Sequence, residues 1–172
     1  MNVLKINLLF LPVLFLGFFS GQTTADTTAE ASTVLTLSVN KKTAATGETV
    51  CLDVMSPDFN QIVSMQYTMS WDKKVLRYKE VQNFKVPAMS NGNFGARGAE
   101  KGKLTFSWYD PNVRGITLQP GTSLYQVCFD VIGDSGSKAF FQFTDYPTVT
   151  EIMKADGTFL DLNWTSGKVT VR

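Results

Sequence analysis

The 172-residue chain contains no histidine. That excludes the Ser-His-Asp and Cys-His nucleophile systems and the usual zinc ligand set. It also lacks an excess of charge of either sign, with 16 Lys and Arg against 15 Asp and Glu. No basic field is therefore present to draw in nucleic acid or anionic lipid. Outside the N-terminus there is no apolar run of membrane length, and no segment sustains a 3.6-residue period. Only two cysteines occur, Cys51 and Cys128.

The one long apolar run lies at the start. Lys5 precedes Ile6 to Phe19, and small and polar residues follow from Ser20 to Ala25. This is the order of a secretory signal peptide, and the run is short for a membrane span. Cleavage after Ala25 is expected, leaving 172 − 25 = 147 residues. That length suits one domain able to bury roughly 70% of its unfolded surface. No cysteine stands directly after the apolar run, between Ser20 and Ser32, so a lipid anchor there is not expected. Asp26 to Ser32 reads as a short polar lead-in, with the domain spanning 33–172. The expected location is secreted and extracellular, with cell-surface display left open.

The remainder alternates with period 2, which places successive side chains on opposite faces of β-strands. Ile62 to Trp71 is the clearest case. Met65, Tyr67, Met69 and Trp71 share one parity and are expected in the core. Ser64, Gln66, Thr68 and Ser70 share the other and are expected outside. Further strands are expected at Thr33–Val39, Thr49–Ser56, Val75–Val81, Lys103–Tyr109, Thr122–Ile132, Ala139–Thr144 and Gly167–Arg172. Short strands are expected at Asn93–Ala96, Thr148–Lys154 and Phe159–Leu162. Asn40 to Glu48 carries Thr46-Gly47-Glu48 and reads as a turn. About nine strands punctuated by turns imply an all-β sandwich or jelly roll.

Parity also places the cysteines. Val50, Leu52 and Val54 are the apolar set of one strand, and Tyr125, Val127, Phe129 and Val131 that of another. Cys51 and Cys128 lie on the opposite, outer parity. If those strands are neighbours, a cross-strand disulfide fits the close pairs of an antiparallel ladder. In an exported chain an even count favours that bridge over a free thiol pair. The outward parity, and Gln126 rather than Tyr two residues before Cys128, argue against an immunoglobulin domain.

Several stretches together resemble a cohesin domain. They are Gly47-Glu48-Thr49-Val50, Ile62 to Asp72 with Val75-Leu76, and Gly102 to Pro111. Gly121 to Phe129 and Gly167 to Val171 complete the set, so the resemblance covers Thr33 to Arg172. Lys73 departs from the family, which usually has proline after the aspartate. The resemblance implies a nine-stranded jelly roll of the carbohydrate-binding-module type, with the two cysteine strands adjacent. It also implies a partner-binding sheet face. Carried over by position, that face comprises Ser64, Gln66, Thr68, Ser70, Thr105, Ser107, Tyr109, Phe140 and Gln142.

Three functions are open to such a chain. The first is a non-catalytic module binding a dockerin-like or surface protein. It would act in an extracellular polysaccharide-degrading or adhesive assembly. The second is polysaccharide binding through exposed rings, for which Tyr109, Tyr146, Phe159 and Trp164 are the candidates. The third is carboxylate catalysis by Asp72 and Asp110, both of which read more simply as turn caps. No cofactor and no metal site are expected. A calcium site among Asp134, Asp156, Asp161 or Asn163 is left open, although no loop has EF-hand spacing. Asn163-Trp164-Thr165 fits a glycosylation sequon.

Overall fold

The alternating stretches form strands in the computed structural model, which describes residues 33–172. The expected signal segment and lead-in lie outside those residues. Twelve strands are present among them: β1 Val34–Val39, β2 Lys41–Ala44, β3 Thr49–Ser56 and β4 Ile62–Ser70. Then follow β5 Leu76–Gln82, β6 Phe94–Gly95, β7 Lys103–Tyr109 and β8 Thr122–Val131. The series ends with β9 Lys138–Thr144, β10 Glu151–Lys154, β11 Asp161–Thr165 and β12 Gly167–Val171.

Two sheets face each other. One has the order β11-β1-β3-β8-β5. The other runs β2-β12-β9-β4-β7-β6, with β10 also paired to β4. Each sheet turns one parity inward. Leu35, Leu37, Leu52, Val54, Val127 and Phe129 meet Met65, Tyr67, Met69, Leu104, Phe106 and Phe141, all at most 1% exposed. Aromatic contacts join the layers, with Phe129 against Phe141 at 6.0 Å and Phe106 against Tyr125 at 5.6 Å. Burying each such side chain stabilises the fold by roughly 1.5–3 kcal/mol relative to exposure. Trp71 and Trp108 are also buried, and each indole N–H finds a backbone carbonyl, of Leu76 and Pro87 respectively, at 2.9 Å.

Several features differ from expectation: twelve strands are present rather than about nine, and the strand expected at Phe159–Leu162 runs Asp161–Thr165, with Phe159 making only an isolated bridge to Met153. Lys41–Ala44 is a strand rather than a turn, pairing in parallel with β12. The segment expected as a strand from Thr148 pairs only from Glu151 onward. The reason lies in β4. One edge of β4 pairs with β7 along its length, while the other edge is shared. β10 takes Ile62 to Gln66, and β9 takes Thr68 to Ser70. The chain between β9 and β10 must therefore leave the sheet, which keeps Thr148–Thr150 out of a ladder.

Cys51 lies directly opposite Cys128 in the β3–β8 ladder and the two form a disulfide, with Cα atoms 4.0 Å apart. Both belong to the outer face of the five-stranded sheet, as parity requires. Cys128 is nevertheless buried, flanked by β3 and β5 on either side.

A sheet face with uncommitted polar side chains

The outer faces of the two sheets differ at their centres. At the centre of the five-stranded sheet the polar groups satisfy one another, while Thr36 and Ser38 of β1 and Asn163 and Thr165 of β11 make no side-chain hydrogen bond to other described residues. Asp53 accepts from Asn40 Nδ2 at 2.7 Å, Gln126 Nε2 at 2.8 Å and Ser123 Oγ at 2.9 Å. Gln126 Oε1 accepts from Asn83 at 2.6 Å and from Gln82 at 3.3 Å. Asp130 accepts from Thr49 at 3.0 Å and Arg77 at 3.2 Å, and these donors, with the nearby Lys79 and Arg77 charges, hold its carboxyl below the usual carboxylate range.

On the seven-stranded sheet the ladder β9-β4-β7-β6 sets the expected face in rows. Tyr109 is opposite Ser64, Ser107 opposite Gln66, and Ser70 opposite both Lys103 and Gln142. The side chains of Ser64, Gln66, Ser70, Ser107 and Gln142 make no hydrogen bond to other described residues. Thr105 donates to the Gly95 carbonyl across the β6–β7 edge. Tyr109, at 67% exposure, and Phe140, at 51%, add two uncovered rings.

Thr68 is the correction. Its parity points outward, yet it is 0% exposed. The β9–β10 connection, with a cis Tyr146-Pro147 bond, crosses the sheet above it. Thr148 N donates to Thr68 Oγ1 at 2.9 Å, and that hydroxyl donates to the Thr148 carbonyl at 3.0 Å. A hydroxyl both donates and accepts, so one side chain satisfies both backbone groups of a residue that has left the ladder. Lys103 Nζ holds the same connection through the Tyr146 carbonyl at 2.9 Å. Asp145 accepts from Thr150 N at 3.1 Å, and Thr150 keeps that carboxyl below its usual range. The face is thus a sheet crossed by a pinned ridge. The sequence carried no signal for this, because period 2 reports strand faces and not what passes over them.

Two hollows flank the ridge. One, about 480 Å³, lies between Tyr146-Pro147, the Lys103 and Thr105 side of β7, and the 3-10 segment Ala96–Lys101. The other, about 460 Å³, is lined by Phe143, Asp145, Val149, Leu162 and Trp164 among others.

The ring candidates do not converge. Tyr146 lines the first hollow and Trp164 the second, while Tyr109 and Phe159 line neither. Trp164 packs on Phe143 at 6.1 Å and is 36% exposed. The carboxylate candidates are turn anchors. Asp72 accepts from Lys74 N at 2.8 Å. Asp110 accepts from the backbone of Asn112, Arg114 and Gly115 at 2.9–3.1 Å, and the Asn112 N–H first of all holds its carboxyl low. Among the described residues, no three potential metal ligands come together.

Two facing sheets in this order, with the turn anchors closing the loops, define a jelly-roll β-sandwich of binding-module architecture. The chain belongs to the cohesin domain family, whose profile matches residues 35–171. Cohesins are non-catalytic binding modules, and the chain is not an enzyme. A search of curated protein sequences finds no match. Among solved structures, the sixth cohesin of scaffoldin B from Acetivibrio cellulolyticus, in complex with a Cel5 dockerin, superposes with TM-score 0.68 at 18% identity. It covers 81% of this chain and 100% of the other. The OlpA cohesin in complex with Doc918 from Clostridium thermocellum gives 0.66 at 16% identity, covering 81% and 99%. A non-cellulosomal cohesin from the archaeon Archaeoglobus fulgidus gives 0.63 at 17%, covering 81% and 91%.

Proposed function

We propose that the chain is an exported binding module that docks a protein partner through the outer face of β9-β4-β7-β6. The partner is a dockerin-like module or a surface protein of an extracellular polysaccharide-degrading or adhesive assembly. The observation that carries this reading is the contrast between the central strands of the two outer faces, β3–β8 on one and β4–β7 on the other. Asp53, Gln126 and Asp130 are committed to neighbours on one sheet. Ser64, Gln66, Ser70, Ser107 and Gln142 present donors and acceptors with no partner among the described residues on the other. Unpaired surface amides and hydroxyls beside exposed rings suit a polar, hydrogen-bonded interface. The dockerin complexes of similar folds support the same choice of partner class.

Polysaccharide binding is the weaker reading. Such binding needs rings aligned along a chain, and Tyr109, Tyr146, Phe159 and Trp164 share no hollow. Affinity capture with the purified protein as bait tests the choice. A stoichiometric protein partner weakened roughly tenfold or more by Gln66→Arg or Ser107→Arg is expected, equivalent to about 1.4 kcal/mol. Retention on a polysaccharide that is lost in Trp164→Ala, with no protein captured, would contradict it.

A further inference from the structure

The hollow beside the ridge is a concentrated patch of positive charge in a nearly neutral molecule. Arg97, Lys101 and Lys103 line it, and no carboxylate does. The ion pairs of the described residues lie elsewhere, joining Arg77 and Lys79 to Asp130 and Arg172 to Glu48. Lys103 is held in place: besides donating to the Tyr146 carbonyl, its ammonium sits 5.2 Å from the centre of the Tyr146 ring. An ammonium has three donors, so N–H groups remain for a ligand. Gly95 and Gly98 also line the hollow, and both pack closely on β7. A side chain at Gly98 would press on the Lys103 carbonyl at 3.0 Å, and one at Gly95 would strike the Thr105 hydroxyl. The wall opposite is apolar, made by Pro147 and by Tyr146, which is 73% exposed.

Resting on the docking face proposed above, we propose that this hollow is the charge-reading subsite of that face and takes an acidic side chain of the protein partner. Three cations around side-chain-free backbone select a carboxylate through charge-assisted hydrogen bonds. The Tyr146 and Pro147 wall accommodates an aromatic or aliphatic neighbour of that carboxylate. Thr105 lines the hollow and also stands in the β7 row of the face, so one partner reaches both. That continuity favours a protein over a free acidic sugar.

The test uses the purified protein and three soluble probes, followed by amide chemical shifts. They are a peptide of alternating glutamate and tyrosine, its lysine-for-glutamate counterpart, and trigalacturonate. The glutamate peptide is expected to move the Gly95, Gly98, Lys103 and Tyr146 resonances saturably. Its affinity is expected to fall roughly tenfold in R97E/K101E and to weaken with salt, as charge complementarity requires. The lysine peptide is expected to leave those resonances unmoved. Response to trigalacturonate but not to the glutamate peptide, equal response to both peptides, or response to no probe overturns the proposal. Thermal melts of R97E/K101E serve as the folding control, both positions being exposed. The docking face is judged separately on the captured partner. If S107R loses it while R97E/K101E keeps full affinity, the subsite fails and the face stands. If both variants keep it, the face itself fails.

Discussion

Thr68 and Tyr67 are adjacent in β4, and both spend their hydroxyls inside the molecule. Tyr67 OH lies 2.7 Å from Tyr125 OH, with both residues at 0% exposure. Tyr125 donates onward to Met69 Sδ at 3.3 Å, which leaves Tyr67 as donor to Tyr125. The two truncations are therefore unequal. Tyr125→Phe strands a buried hydroxyl on Tyr67 and is expected to cost ~1–3 kcal/mol, whereas Tyr67→Phe leaves Tyr125 its sulfur acceptor and costs ~1 kcal/mol. The double variant should cost less than the sum, since it removes both partners. Urea midpoints at constant slope measure all three. Equal single costs that add would break the pairing. Parity showed from sequence that Tyr67 points inward. It gave no means of finding a partner 58 positions away, nor of finding that the outward Thr68 is roofed by Thr148.

At the scale of elements, strands with a full alternating run were legible and edge pieces were not. Lys103–Tyr109 has the expected bounds because Leu104, Phe106 and Trp108 are all buried against polar neighbours. Lys41–Ala44 buries only Ala44, so it carries no periodic signal, and its lysines suit an exposed edge. The Asn83–Gly102 stretch reads as irregular from its glycines and Pro87. It nevertheless sends Val86 and Met89 into the core and holds the 3-10 segment that walls the cationic hollow. Of the candidate site, the rows of β4 and β7 were visible from parity, but the ridge and hollow arise from tertiary crossings. The β3–β8 pair tests the reading of the cysteines. Their bridge closes a loop of 77 residues, and chain-entropy reasoning gives it ~4 kcal/mol. C51A/C128A should lower the urea midpoint while keeping the far-ultraviolet spectrum of the native sandwich. Unchanged stability would mean that the bridge constrains little in the unfolded chain.

For the whole molecule, the missing histidine sets the response to pH. No side chain of ordinary pKa titrates between about 5 and 8. The carboxyls of Asp110, Asp130, Asp145 and Asp156 are held low, chiefly by hydrogen bonds from Asn112, Thr49, Thr150 and Thr158. A carboxyl lowered in the fold stabilises it above the unfolded value, near 3.9, and loses that contribution as pH falls through the lowered value. Burial raises the hydroxyls of Tyr67 and Tyr125, so their contribution holds below about 10 and is lost as pH rises beyond it. Melting temperature should be flat from about pH 5 to 9, falling on the acid side below 4 and on the alkaline side above 10. A step between pH 6 and 8 would contradict this assignment.

The same two-layer architecture gives one sheet a self-satisfied centre on β3–β8 and the other an open centre on β4–β7, and docking on the open one is the central claim. The most direct measurement compares arginine substitutions on opposite sheets, Ser107→Arg on β7 and the charge reversal Glu80→Arg on β5, by partner affinity at equal fold stability. Docking through β9-β4-β7-β6 predicts at least a tenfold weakening, about 1.4 kcal/mol, for Ser107→Arg and no change for Glu80→Arg. Loss confined to Glu80→Arg would place the partner on the other sheet and contradict the claim.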